Sequence, residues 1–311
     1  MTTVRPVRRA DRLTGEEIAA VLAVADASAA ADGVFPLAED TVLAVRHTPD
    51  EPTESGAARA HLLSFAEDGL AGYACLDRSD PAAPAGELVV HPRHRRGGHG
   101  TALLAAAAAE VAAGATLSVW AHGDGAGARA FAEGAGFARA RVLWQMRRPL
   151  TEPLPEVPLP AGVTVRHFRP GFDDELWLRL NARAFADHPE QGRWTEADLR
   201  LRMAEPWFEP EGFLLAVDVG DTLMGFHWTK VHPATGDVPR MGEIYVLGVD
   251  PDVHQRGLGA ALSVAGLQHL ALHGVQQAML YVDESNAAAV ALYRRLGFTV
   301  FAADVGYQKI V

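Results

Sequence analysis

Cysteine is nearly absent: Cys75 is the only one in 311 residues, so no intramolecular disulfide can form and nothing asks for an oxidising compartment. Lying inside the strand-like run AGYACL, Cys75 reads as a small core residue. Basic charge is also short. With 28 Lys and Arg against 39 Asp and Glu, the net is -11, which excludes a broad nucleic-acid surface and leaves room only for local basic loops. Long apolar runs are missing too: the longest, around Leu103 to Ala113, is interrupted by Glu110 and is too short to cross a bilayer. The arginines of the opening MTTVRPVRRADRL are followed by no signal-peptide core. The expected protein is cytoplasmic, makes no contact with membrane or nucleic acid, and is a monomer.

What is abundant is apolar residues, 49%, with 30 glycines, enough for two ordinary cores. In the first half, Thr14 to Glu17 has capping-box spacing ahead of a helix that fades near Asp32-Gly33. His61 to Phe65 and Leu70 to Leu76 flank Glu67-Asp68-Gly69 as a hairpin. Leu88 to Val90 is a strand, Gly98 to Ala113 a helix, Leu117 to Ala121 a strand, Ala126 to Glu133 a helix and Arg139 to Met146 a strand. The four prolines of Thr151 to Gly162 mark an extended linker between domains 1–150 and 163–311. The order then repeats: strand Val163 to Phe168, helix Asp173 to Phe185, a helix start at Thr195, and a hairpin of Phe213 to Val217 with Leu223 to Val231 about Gly220-Asp221. Strand Ile244 to Val249, helix Gly257 to His273, strand Ala278 to Val282, helix Ala287 to Leu296 and strand Phe298 to Tyr307 complete it.

The two halves match residue by residue as well, which points to an internal duplication. Val249-Asp250-Pro251 pairs with Val90-His91-Pro92, Gly257-Leu258-Gly259 with Gly98-His99-Gly100, and Tyr281 to Phe298 without a gap with Trp120 to Phe137. Each half therefore carries a strand, a glycine loop and a helix start. Glycines let a ligand approach the backbone, and the first amides of the helix have no internal partners, so the junction suits a phosphate or pyrophosphate. A turn that merely connects strand to helix is the plain alternative for either glycine pair taken alone.

These residues resemble the GNAT superfamily of acyl-CoA-dependent N-acyltransferases, whose signature is Arg or Gln, two residues, Gly, one residue, Gly or Ala, then a helix, with a later Tyr shortly before Leu-Gly-Phe. Arg95-Arg96-Gly97-Gly98-His99-Gly100 fits it; in the second half His254 stands where Gln or Arg is usual, while Asn286, Tyr293 and Leu296-Gly297-Phe298 keep family spacing. The resemblance implies an α/β fold of two tandem GNAT domains, each a mixed sheet flanked by helices, and acetyl-CoA as cosubstrate in both. It implies CoA contacts from Leu88, Val89, Val90 and Arg95, Arg96, Gly97, Gly98, His99, Gly100 and Thr101 in the first half. In the second half they come from Leu247, Gly248, Val249, from His254, Gln255, Arg256, Gly257, Leu258, Gly259 and Ala260, and from Asn286, Ala287, Ala288, Ala289, Val290 and Ala291. Three further stretches, Asp32 to Glu39, His188 to Trp194 and Gly242 to Pro251, narrow the resemblance to tandem members acting on a small molecule, a pseudo-disaccharide carrying a cysteinyl amine. For that acceptor it implies contacts from Glu39, Glu190, Lys230, Glu243 and Tyr281, with Glu39 reaching across from the first domain.

Acetyl transfer needs a base for the ammonium, a donor to the thioester oxygen and an acid for the thiolate. Glu243 lies six residues before Val249, so on a regular strand both side chains point to one face; it is the expected base, a solvated edge carboxylate being the alternative. The Val249 amide is the expected donor to the oxygen. Tyr293, a turn before Gly297, is the expected acid, with a core tyrosine as the alternative. Asn286 opens its helix and both caps it and meets the pantetheine arm. His91, His94 and His99 crowd a basic loop without ligand spacing, so no metal is expected. Matching the halves sets Gly125 against Asn286, Ala132 against Tyr293 and Pro84 against Glu243, so the first half has a CoA cradle without acid or base. Other amines, such as an aminoglycoside or a peptide, or a silent CoA-binding regulator, remain as alternatives.

Overall fold

The computed structural model describes residues 6–47, 59–186, 188, 191–234, 239–253 and 257–311. They form two compact units, Met1–Leu143 with Ala302–Val311, and Trp144–Phe301.

In the first unit β1 (Arg8–Ala10), β2 (Arg59–Ala66), β3 (Gly69–Asp77), β4 (Ala85–Val90) and β5 (Thr116–Ala121) lie side by side in sequence order. The pairs are antiparallel except β4 with β5, which is parallel. Helix α1 (Gly15–Asp32) starts at the expected capping box, Thr14 accepting from Glu17 N and Glu17 from Thr14 N, and stops at Gly33, whose φ of 75° an L side chain rarely adopts. Helix α2 (Glu39–Arg46) has no counterpart among the sequence expectations. α3 (His99–Ala109) ends short of the predicted Ala113, and α4 (Ala126–Gly134) follows. Alternation along the strands sorts the core: Leu63, Tyr73, Cys75 and Val89 meet α1, whereas Leu62 and Ala74 meet Leu103 and Ala107 of α3. Cys75 is buried and its thiol is pushed up to about 11 by that burial, as befits a core residue.

The second unit repeats the plan. It holds part of β6 (Ala138–Pro149), then β7 (Thr164–His167), α5 (Asp174–Ala184), α6 (Glu196–Met203), β8 (Phe213–Val217), β9 (Leu223–His232), β10 (Met241–Val249), α7 (Leu258–Leu272), β11 (Gln277–Asp283) and α8 (Ala287–Arg295). Its sheet runs β6-β11-β10-β9-β8-β7, with β10 and β11 parallel. One face packs on α7 and α8 through Ile244, Leu267, Leu270, Leu280 and Val290. The other carries an aromatic cluster with α5 and α6: Trp177 and Trp228 are fully buried, Phe213 stacks on Trp228 at 4.4 Å, and Trp177 meets Phe213, Phe226 and Trp228 edge-on. Each such burial contributes about 1.5–3 kcal/mol.

The last strand of each half differs from the expected domains 1–150 and 163–311. β12 (Thr299–Ile310) gives Val305–Ile310 to β5 of the first unit, antiparallel, while Trp144 to Pro149 belongs to the second unit beside β11. The proline-rich segment is no free tether either, since its Leu154 and Val157 pack on the second unit's core.

Candidate functional site

In the second unit the site is built where β10 and β11 part. Their parallel pairing covers Gly242 to Ile244, opposite Ala278 to Leu280, and no described pair continues it. Asp250 N donates to Met224 O of β9; strand amides alternate in direction, so those of Leu247 and Val249 turn to the β11 side. These outward amides suit an extended amide-bearing ligand laid along the strand.

A β-bulge at Tyr245 separates this edge from Glu243: β10 advances two residues, Ile244 to Val246, while β9 moves one, Thr229 to Trp228. The bulge corrects the expectation that Glu243 and Val249 share a face. Ile244 packs on α7 and a Cβ at Gly242 would strike Leu270 of that helix, so Glu243 between them faces the aromatic side. Val249 packs with Leu258 and Leu262 on the α7 side. The expected donor is unaffected, because it is a backbone amide.

On the aromatic side Glu243 sits directly across from Lys230 of β9. Its carboxylate is buried, with Oε2 2.6 Å from His232 Nε2. The Lys230 ammonium lies 4.5 Å above the Trp207 ring and 5.0 Å from that of Tyr245, and Arg202 Nε donates to Tyr245 Oη at 2.8 Å. A carboxylate, a buried cation and aromatic rings thus converge on one face, suited to an ammonium and to hydroxyls. His232 and the aromatic lining escaped the sequence reading; the alternation Phe226, Trp228, Lys230, His232 along β9 was the signal available for them.

Around the edge, Gly257 caps α7 with φ 94° and ψ -6°, and Leu258, Gly259 and Ala260 follow as its first residues. His254, Gln255 and Arg256 lie outside the described residues, as does Glu190. Asn286 caps α8, accepting from Ala289 N at 3.1 Å, with Ala287 to Ala291 behind it. Tyr293 of α8 packs against Phe298, and burial pushes its phenol up to about 12, so it carries its proton at neutral pH. Tyr281, on β11, accepts from Gln145 Nε2 at 2.7 Å. Glu39 begins α2 of the first unit.

The first unit has the same junction. Gly98 caps α3 with φ 92° and ψ -6°, and β4 parts from β5 after Glu87. A cavity of about 810 Å³ opens there, lined among others by Leu88, Val89, Val90, Arg95, Arg96, Gly98, Gly100 and Thr101. Arg95 is held by Asp32, at 2.6 Å, and Ser28, while the His99 ring turns inward to Ser64 Oγ at 2.9 Å and leaves only its backbone for a ligand. β4 pairs with β3 without a bulge. The strand registers, Ala85 with Ser118 and Glu243 with Met279, therefore set Ala85 rather than Pro84 opposite Glu243. Neither is an acid, but a buried carboxylate stands close by: Glu87 Oε1 is 2.9 Å from His122 Nε2, and His122 Nδ1 is 2.9 Å from Asp304 Oδ2. Burial by itself favours neutral imidazole; the two carboxylates outweigh it and raise His122 to about 10.

For metals, the described residues bring together one trio with all ligand atoms within 4.8 Å, Glu209, His269 and His273. His91, His94 and His99 are not that trio. It lies at the far end of α7 from the glycine turn, about 20 Å away at the rise of an α-helix. No helix among the described residues is long and apolar enough to cross a membrane.

Comparison with known proteins agrees with this geometry. The model of the "Acetyltransferase (GNAT) family" matches residues 177–298 and that of the "Acetyltransferase (GNAT) domain" residues 59–139. Among solved structures, a GCN5-related N-acetyltransferase from Sphaerobacter thermophilus is 25% identical with a TM-score of 0.66, covering 98% of this chain and 95% of its own. A tandem GNAT protein from the clavulanic acid biosynthesis pathway, 20% identical, shares the fold with a TM-score of 0.70 over 97% of this chain and 98% of its own. The mycothiol acetyltransferase of Salinispora arenicola is 58% identical over 97% of this chain and 96% of its own, and that of Thermobispora bispora 55% over 97% and 99%. The fold is α/β with two GNAT domains, and the chain is an acetyl-CoA-dependent acyltransferase. It belongs to the mycothiol acetyltransferase family.

Proposed function

We propose that the chain is a mycothiol synthase, transferring acetyl from acetyl-CoA to the cysteinyl amine of Cys-GlcN-Ins and releasing CoA. The observation that carries this is the buried Glu243, across from Lys230 on the strand whose free edge bears the Leu247 and Val249 amides. Acetyl-CoA lies along that edge with its pyrophosphate at the Gly257 turn, and the Val249 amide donates to the thioester oxygen. Glu243 takes a proton from the ammonium; the amine attacks the carbonyl carbon, the C–S bond breaks, Tyr293 protonates the departing thiolate, and the second proton, shed by the nitrogen as it becomes an amide, restores the Tyr293 phenol. Lys230, Tyr281 and Glu190 serve the acceptor. The first unit binds acetyl-CoA or CoA in its own cradle without transferring it, having Ala85, Gly125 and Ala132 at the positions of Glu243, Asn286 and Tyr293.

The test is a panel of amines with acetyl-CoA, CoA release being followed chromatographically. Cys-GlcN-Ins is expected to be the preferred acceptor; good turnover of an aminoglycoside or a peptide beside none of Cys-GlcN-Ins sinks the assignment. Tyr293→Phe is expected to lower kcat about 10²–10⁴-fold, the range for a general acid, with acetyl-CoA affinity retained. Activity that survives this change and disappears on mutating Arg95 to Gly100 reverses the roles of the two units.

A further inference from the structure

The reaction proposed above produces one proton per turnover: an ammonium and a thioester become an amide, a thiol and H⁺. Glu243, the group that first receives it, has a side chain only 9% exposed. It must return to the carboxylate before the next acceptor is used, so the proton has to leave. Its neighbours differ in their ability to take it. Lys230 is an ammonium over two rings and has only donors to offer, and the Tyr245 hydroxyl is occupied by Arg202 Nε. His232 alone among these combines contact with exposure: Nε2 is 2.6 Å from Glu243 Oε2, and its side chain is 34% exposed.

We infer that His232 is a positioning residue that holds the Glu243 carboxylate and passes the amine proton from it to solvent. The inference rests on Glu243 being the base. While Glu243 is ionised, Nε2–H donates to its carboxylate. Once Glu243 carries the amine proton, exchange with solvent at the exposed ring moves the ring hydrogen to Nδ1; Nε2 then accepts the carboxyl proton as Nδ1 gives its own to water, and the ring is left with the Nε2–H that holds the carboxylate again. A purely structural histidine needs only to donate one hydrogen bond to Oε2, and the two roles separate experimentally.

His232→Gln keeps a donor for Glu243 and cannot carry a proton through. Its kcat is expected to fall at least tenfold, with the KM for acetyl-CoA unchanged, and the residual rate should climb with buffer concentration, because small buffers now remove the proton. His232→Ala should be as slow and should regain rate, saturably, on adding imidazole. Turnover of His232→Gln at the wild-type rate overturns the relay, and so does an alanine variant that imidazole leaves unchanged. If the alanine variant does not fold, the buffer dependence of His232→Gln decides by itself. Glu243→Gln separates premise from inference: full activity there removes the base assignment and the relay with it, whereas a dead Glu243→Gln beside a fully active His232→Gln removes the relay alone.

Discussion

His122 is a buried cation between two carboxylates, and its energetics follow from that. Both ring nitrogens are engaged, by Glu87 and Asp304, which requires both to carry hydrogen. Relative to an ordinary imidazole near 6.5, a folded value of about 10 contributes stability that is full below about pH 6.5, declines above it and is gone beyond about 10. Glu87 has the opposite sign. Burial pushes it up, but His122 and the Ala38 amide outweigh burial and lower it, so its contribution is present above the usual carboxylate value of 4.5 and is lost as the pH falls through the folded value. The lock is therefore strongest between about pH 4.5 and 6.5. His122→Ala leaves two carboxylates buried without their cation and should cost about 3–5 kcal/mol, read from denaturant unfolding of the full chain, with the loss greatest in that window and shrinking towards pH 10. A pH-independent loss contradicts the lock. Nothing in the sequence announced this triad, whose members stand 35 and 182 residues apart and are joined only by the fold.

At the level of elements, the two glycine turns are the most legible part of the chain, because Gly98 and Gly257 take the same left-handed conformation at the head of a helix, φ 92° and 94°. Among the described residues nothing lies within 4 Å of a Cβ built on Gly257, and alanine there meets a conformational strain of about 1–2 kcal/mol. Relaxing that strain swings the α7 amides away from the ligand. Gly257→Ala is expected to weaken acetyl-CoA binding about tenfold in the second unit and to abolish most turnover, leaving a second binding event in calorimetry. A titration that loses both events at once excludes two separate cradles. The strand before the turn was less legible. Regular alternation along β10 sets Glu243 and Val249 on one face, whereas one extra residue, Tyr245, inverts the face on which Glu243 stands and displaces its counterpart from Pro84 to Ala85. A bulge adds no glycine or proline to betray it; aromatic Tyr245 and apolar Val246 read like any other strand residues.

Across the whole molecule, the duplication could be read from matched residues, but the exchange of closing strands could not. An alternating apolar strand at 299–310 fits any sheet with a free edge, and only its contacts reveal that the final residues serve the first unit. They supply much of its structure: Val305 and Tyr307 are fully buried, Tyr307 donates to Asp124 at 2.8 Å, Lys309 donates to Ala135 O at 2.8 Å, and Asp304 completes the His122 lock. A chain ending at Phe301 takes the outer partner from β5 and exposes its edge. Limited proteolysis should then cut the first unit well before the second, and calorimetry should show loss of the first cradle's acetyl-CoA binding. A truncated protein with the protease pattern and the two binding events of the full chain shows instead that these residues are dispensable to the first sheet. Because the segment contains no group assigned to the transfer itself, loss of turnover in the truncated chain with the second cradle still binding acetyl-CoA measures how far the chemistry depends on an intact first unit.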